Sequence, residues 1–369
     1  MIKYLGSKRV LVPRITAAIG ALPSVRTVID LFSGTSRVGH AMKRMGLRVL
    51  ANDHNRYAAI LARCYVQADR GDVEAAASLR IAEYNRLPGA PGWFTRTLCE
   101  QSRYLQPKNG GRVDAIRDAI AADGHPPELE AVLLTALMEA ADRVDSTTGV
   151  QMAFLKQWSA RSHQDLELRL PDVLPRAAAG KGEAFELDAE VAIAQLEGDV
   201  AYVDPPYNQH KYLGNYHVWE SLARWDKPAV FGVAQKRVDC KARRSAFNSR
   251  LHSRAALQRV VDGVRARHLV VSFNDEGFFA PDEIVAMLGA RGFVWALGCD
   301  HPRYVGARIG IYNPQGEKVG KVSHVRNREF LFVVSGDRAV GRSLGPLGFE
   351  ATRGGELAVA APRRRRVAR

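Results

Sequence analysis

Asp204, Pro205, Pro206 and Tyr207 directly follow an apolar run at residues 198–203. Consecutive prolines cannot continue a sheet ladder, so a strand at 198–203 must end there in a rigid turn. That turn gathers a carboxylate, the Pro205 carbonyl and an aromatic face at one strand mouth. An exocyclic amine offers two N–H donors. Asp204 and the Pro205 carbonyl can accept both while Tyr207 stacks on the ring that carries the amine. Drawing both protons toward acceptors makes the nitrogen more pyramidal and its lone pair better able to attack a methyl carbon. The plain alternative is a Pro-rich turn without chemistry. The apolar strand before it favours the chemical reading.

A second group lies at Asp30, Leu31, Phe32, Ser33 and Gly34, continuing to Gly39. A turn of small residues between a strand and a helix lets a ligand approach the backbone closely. The full Gly-x-Gly-x-x-Gly dinucleotide fingerprint is absent: Gly34 and Gly39 fit its outer positions, and Ser36 stands at the middle one. Asp53 ends the next apolar run, a position from which a carboxylate can hold ribose hydroxyls. A solvent-exposed turn carboxylate is the alternative there.

These residues require a particular frame. Residues 26–32 read as a buried strand, 37–45 as a helix closed by Gly46, and 47–51 as a second strand. This is the opening unit of a doubly wound α/β sheet. Residues 58–68, 111–121 and 127–142 have helical character, separated by polar, Pro- and Gly-rich breaks. Strand signals return at 198–203, 268–273, 293–297 and 329–334, with helices expected at 253–265 and 281–288. The expected division is a catalytic domain at 1–56 and 180–337, a helical insert at 57–179, and a basic, disordered tail at 338–369.

The 369 residues suffice for one large core and a smaller module. A net charge of +14 favours a polyanionic partner. The four cysteines form no Cys-x-x-Cys pair, so neither a zinc cluster nor a disulfide framework is expected, and no metal site is assigned. No apolar run approaches membrane-spanning length, and the N-terminus lacks the apolar core of a secretory signal. A cytoplasmic, nucleoid-associated protein of bacterial or phage origin is the expectation.

The order of these motifs resembles that of the Dam-like, alpha-group DNA N6-adenine methyltransferases, over roughly residues 1–335. Lys3 to Lys8 match the family's N-terminal lysine motif, Asp30 to Gly39 its cofactor turn, and Asp53 its ribose acid. Residues 186–189 are similar to the segment whose acid meets the cofactor's adenine. Asp204 to Tyr207 match the catalytic motif, and residues 272–277 the strand-end motif after it. The resemblance implies a class I, Rossmann-like methyltransferase sheet that carries a helical insert for target recognition. It implies S-adenosylmethionine as cofactor and N6 of adenine in double-stranded DNA as acceptor, with base flipping. A cognate restriction endonuclease acting separately is an expected companion, and a monomer or weak dimer the expected assembly. Implied cofactor contacts are Lys8, Asp30, Leu31, Phe32, Ser33, Gly34, Asp53 and Asp188.

Candidate phosphate contacts are Lys236, Arg237, Lys241, Arg243 and Arg244, with Arg303, Arg308 and Lys321 beside them. The basic run at 363–366 could add non-specific attraction. Residues 208–219, rich in Tyr, His and Asn, read either as a loop closing over a flipped base or as a plain surface loop. The rival readings are a different acceptor (cytosine N4, or an amine in RNA or protein), an inactive nucleic-acid-binding regulator, and a dinucleotide oxidoreductase. A leading aspartate in the catalytic motif favours adenine. The intact Asp30, Asp204 and Tyr207 argue against an inactive scaffold.

Overall fold

The computed structural model describes residues 1–302, 311–312, 318–320 and 326–352. Strands are β1 Thr27–Asp30, β2 Arg48–Asn52, β3 Glu183–Phe185, β4 Glu197–Val203, β5 Val230–Phe231, β6 Lys236–Arg237, β7 Arg265–Asn274, β8 Phe293–Pro302, β9 Ile311–Tyr312, β10 Lys318–Gly320, β11 Arg326–Ser335 and β12 Glu350–Ala351. Helices are α1 Val12–Gly20, α2 Arg37–Arg44, α3 Arg56–Ala62, α4 Arg70–Asn85, α5 Pro107–Asp123, α6 Pro127–Arg143, α7 Ala189–Gln195, α8 Tyr212–Asn215, α9 His217–Arg224, α10 Ser253–Gly263, α11 Pro281–Gly289 and α12 Val340–Leu344.

Eight strands form one sheet in the order β12-β8-β11-β7-β4-β1-β2-β3. The run from β7 to β3 is parallel, and β11 is antiparallel to both its neighbours. This is the expected Rossmann-like methyltransferase sheet. The two-residue side-chain period of a strand gives each face its own core. Ile29, Ala201, Val203 and Val271 pack under α7, α10 and α11, while Val28, Val200, Tyr202 and Val270 pack under α1, α2 and α12. Such a fully buried Val or Ile contributes roughly 1.5–3 kcal/mol.

The strand order reverses at β1. The chain adds β2 and β3 on one side of it and β4 on the other. Ligands of open α/β sheets bind outside the carboxyl ends at such a reversal. Here those ends carry Asp30 and Asp204, held level because Asp30 pairs with Tyr202 and Leu31 N donates to the Tyr202 carbonyl at 3.1 Å.

Helices α3 to α6 lie between β2 and β3, with α4 an addition to the helices read from sequence. Their core also takes in Ile2, Tyr216, Val218 and Trp219, so the N-terminal segment and α9 pack into the same body as the insert. Two expectations are corrected. Residues 338–352 are not a disordered tail: Val340, Leu344 and Phe349 are buried beneath the sheet, and β12 pairs with β8. Residues 353–369, including the run at 363–366, lie outside the described residues, as do Arg303, Arg308 and Lys321. Most of residues 208–219 is not a loop either. It contains α8 and the start of α9, with Tyr216 and Trp219 buried.

Candidate active site

Two strand ends build the cleft. At the end of β4, Asp204 receives a hydrogen bond on Oδ1 from Ser272 Oγ at 2.8 Å, and Ser272 Oγ also meets Tyr202 Oη at 2.9 Å. Lys8 Nζ, from the N-terminal segment, lies 3.1 Å from the same carboxylate oxygen and 3.3 Å from Glu329 Oε2 on β11. Asn274 donates to the other Glu329 oxygen at 3.0 Å. Among the described residues, Asp204 Oδ2 takes no hydrogen bond. Burial raises the Asp204 pKa above the carboxylate norm, against the Lys8 charge that lowers it. Burial works to lower the Lys8 pKa, but Asp204 and Glu329 outweigh it, so Lys8 stays protonated.

Tyr207 is half-buried, its ring 5.7 Å from that of Phe273 and under Lys8 at 5.6 Å. Phe278 N donates to the Tyr207 carbonyl at 2.9 Å and so fixes the turn after the prolines.

At the end of β1, Asp30 is buried. Its Oδ2 accepts from Gly39 N at 3.0 Å, and its Oδ1 has no partner among the described residues. Burial pushes its pKa up to about 7. Ser7 Oγ and Ser33 Oγ are likewise buried without partners. These three residues line one cavity with Tyr4, Lys8, Phe32, Gly34, Arg37 and Asp204. Gly34 has φ +51°, and an added Cβ there would lie 3.2 Å from the Tyr4 ring. Tyr4 is itself stacked on Tyr216 at 4.6 Å and on Tyr212 at 5.3 Å. The N-terminal segment is thereby clamped over the turn.

Asp53 ties the second strand to this turn, accepting from Gly34 N at 3.1 Å and from Asn55 N at 2.9 Å. Asn52 straps the same region: its Nδ2 donates to the Leu31 and Leu187 carbonyls at 3.2 Å each. Asp188 is exposed and caps α7 by accepting from Glu190 N at 2.9 Å. Glu186 pairs with Arg56 and Arg224 at 2.9 Å. Leu31 turns its side chain into the core.

The cleft therefore unites Lys8, Asp30, Phe32, Ser33, Gly34 and Asp204, with Tyr207 against Lys8 and Asp53 linked through Gly34. Sequence reasoning missed Ser7, Arg37, Asn52 and Glu329. The first two lie inside recognised motifs but were given no role of their own. Glu329 carries no local signal, because only the pairing of β11 with β7 brings it beside Asn274.

The basic candidates separate. Arg237 is buried, its guanidinium forked onto Asp226 at 2.7 Å and onto Asp239 at 3.1 Å. Arg243 donates to Glu220 and to the His54 carbonyl, each at 2.8 Å. Both hold the fold together, which corrects their assignment to phosphate. Lys241 and Arg244 are exposed and Lys236 half-exposed.

Comparison with known proteins agrees with this geometry. The chain is 27% identical over 302 residues to the modification methylase StsI of Streptococcus sanguinis, covering 78% of this chain and 46% of that protein. It is 28% identical over 309 residues to the type II methyltransferase M.FokI of Planomicrobium okeanokoites, covering 79% and 47%. The chain thus spans about half the length of these two relatives. With the type II methyltransferase M.NlaIII of Neisseria lactamica it shares 26% identity over 339 residues, 89% of this chain and 99% of that protein. Residues 4–274, from the tyrosine stacked over the glycine turn to the end of β7, match a single family along their whole length, and the chain belongs to the D12 class N6 adenine-specific DNA methyltransferases.

Proposed function

We propose that the protein transfers a methyl group from S-adenosylmethionine to N6 of adenine in double-stranded DNA. The observation that carries this reading is the meeting of Asp204, at the end of β4, with the Asp30–Gly34 turn of β1 in one cleft. The residues present fit the cofactor. Buried, unpartnered oxygens of Ser7, Asp30 and Ser33 face a cavity beside a glycine turn, and Asp53, joined to that turn through Gly34 N, is the reading's acid for the ribose hydroxyls. Asp188, exposed at the start of α7, is the reading's acid for the adenine ring.

When bound, S-adenosylmethionine supplies a methyl carbon activated by a sulfonium. The protein's part is positioning and electrostatics. Asp204 Oδ2 accepts one N6–H and the Pro205 carbonyl the other, which turns the nitrogen lone pair toward the methyl carbon. Tyr207 stacks on the extruded adenine, worth about 1–3 kcal/mol for a base–aromatic contact. The N–C bond would form as the methyl–sulfur bond breaks and S-adenosylhomocysteine leaves; one N6 proton is released, and a carboxylate whose pKa is already raised by burial can hold it. The insert, with Lys236, Lys241 and Arg244, forms the proposed DNA face. Those cations contribute backbone attraction rather than sequence reading. Among the described residues no helix is long and apolar enough to cross a membrane. Action as a monomer or weak dimer in the cytoplasm, alongside a separate restriction endonuclease, belongs to the same proposal.

The test is transfer of tritium from methyl-labelled S-adenosylmethionine to duplex DNA, RNA and protein, followed by nucleoside analysis. N6-methyladenine in DNA is expected, abolished by Asp204→Ala with cofactor binding retained. Label appearing only in cytosine, RNA or protein would overturn the reading.

A further inference from the structure

Three tyrosine rings lie nearly parallel beside the cleft. Tyr4 is 4.6 Å from Tyr216 and 5.3 Å from Tyr212, and Tyr212 is 6.4 Å from Tyr216, with interplanar angles of 13° to 16°. Such packing accounts for three aromatic rings but not for three hydroxyls, since phenylalanine stacks as well. Two of the hydroxyls are used inside the protein. Tyr216 Oη accepts from Leu5 N, and Tyr4 Oη meets Tyr57 Oη at 3.2 Å. The third, Tyr212 Oη at the start of α8, takes no hydrogen bond among the described residues.

Gly6 shows where that hydroxyl stands. Gly6 lines the cleft and has φ +73°, in the region that favours glycine. A Cβ there would lie 3.1 Å from Tyr212 Oη and 3.7 Å from Tyr207 Oη. The two phenol oxygens therefore converge on one bare stretch of N-terminal backbone. Tyr207 belongs to the catalytic turn, so Tyr212 Oη stands at the rim of the ring on which the acceptor base is read to stack. Burial raises the Tyr212 pKa, and Tyr207 and Asp204 add to the rise. The phenol keeps its proton at neutral pH and faces the mouth as a donor.

The catalytic turn leaves work for such a donor. Asp204 and the Pro205 carbonyl engage the two protons of an exocyclic amine, and they would engage those of cytosine N4 equally well. They do not read the ring that bears the amine. In adenine that amine is flanked by two ring acceptors, N1 and N7. Resting on the methyl-transfer reading above, we propose that Tyr212 is a second base-reading residue, whose hydroxyl donates a hydrogen bond to one of these two ring nitrogens of the extruded adenine. The packed ring cluster fixes the hydroxyl before the base arrives, so little side-chain freedom is lost on binding. No proton is transferred; the phenol stays neutral throughout.

The test changes one atom on each side of the contact. The methylated site is first located by sequencing DNA treated with the whole protein. Synthetic duplexes then carry adenine, 1-deazaadenine or 7-deazaadenine at that position, and kcat and KM are measured for wild type and Tyr212→Phe. Thermal melting and calorimetric titration with S-adenosylmethionine accompany each protein. On adenine, Tyr212→Phe is expected to lower kcat/KM about tenfold, with melting temperature and cofactor affinity unchanged. On one deaza analogue the variant should equal wild type, because the acceptor is already gone; on the other the tenfold loss should persist. The analogue that abolishes the difference names the nitrogen. An unchanged rate on adenine, an equal loss on all three duplexes, or a matching loss of cofactor affinity would overturn the assignment while leaving the methyl-transfer reading intact. Failure of wild type to methylate adenine in any DNA would overturn both.

Discussion

Lys8 Nζ stands 3.1 Å from Asp204 Oδ1, so a lysine some two hundred residues upstream holds the carboxylate at the heart of the catalytic turn. The contact occupies one oxygen and leaves Oδ2 to the incoming amine. It also sets the charge of the group. Burial and Glu329 raise the Asp204 pKa, while Lys8 and the Ser272 hydrogen bond lower it.

Opposite pH shifts should therefore follow from removing Lys8 and from removing Glu329. Methyl acceptance needs the ionised carboxylate, so activity falls as pH drops through the Asp204 pKa. Lys8→Met removes the opposing charge and should move the acid limb of kcat/KM to higher pH by about 1 unit or more. Glu329→Gln removes a like charge and should move the same limb to lower pH. Single-turnover rates across the neutral range check this. Limbs that move together, or not at all, would show that Asp204 is not the titrating group.

Ser36 takes the middle position of the glycine turn with φ +58°, a left-handed conformation that favours glycine. Its hydroxyl is also buried and unpartnered. Ser36→Gly should relieve both, giving a stability change between neutral and about +1 kcal/mol, with cofactor affinity unchanged. Ser36→Ala removes the hydroxyl but keeps the backbone strain, and should gain less. Chemical denaturation of both variants decides between these outcomes.

Much of the frame was legible because strand burial repeats every two residues and the catalytic turn is local in sequence. Asp30, Gly34 and Asp204 each sit at or just past the end of an apolar run that could only be a buried strand. What escaped was set by partners distant in the chain. Tyr216 and Trp219 read as polar-loop aromatics, yet Tyr4, Tyr57 and the insert bury them. α4 escaped because its buried stripe, Val73, Ala77, Ile81 and Tyr84, is thin and partly alanine. Residues 340–351 are short and glycine-rich, and they order only by packing under the sheet and along its edge strand. A run of basic residues says nothing of which cations carry internal partners, so Arg237 and Lys241 looked equivalent.

They should behave differently when replaced. Arg237→Ala removes a buried fork from Asp226 and Asp239, whose side chains are partly exposed, and should cost about 1–3 kcal/mol of stability. Lys241→Ala and Arg244→Ala should leave the melting temperature unchanged and weaken DNA binding at low salt. Where either cation neutralises a phosphate, its removal should flatten the slope of log K against log salt by about 0.9. Melting curves and a salt titration of DNA affinity measure both effects. A salt slope unaltered in the double Lys241, Arg244 variant would remove this segment from the DNA face.

Burial makes Asp30 a liability to the protein without cofactor. Its folded pKa, about 7, lies above the ordinary value of 3.8, so the native state binds the proton more tightly than the unfolded chain does. By linkage, stability from this group is fully present below about pH 4 and is lost as pH rises toward and through 7. Asp30→Asn cannot ionise, and its side-chain oxygen can still accept from Gly39 N. The variant should match wild type below about pH 4, melt progressively higher than wild type as pH rises from there to about 7, and keep a constant advantage above that. Thermal melting of both proteins over this pH range tests the claim. A wild-type protein that kept its full stability at alkaline pH would mean that Asp30 is ionised and already paired without the cofactor.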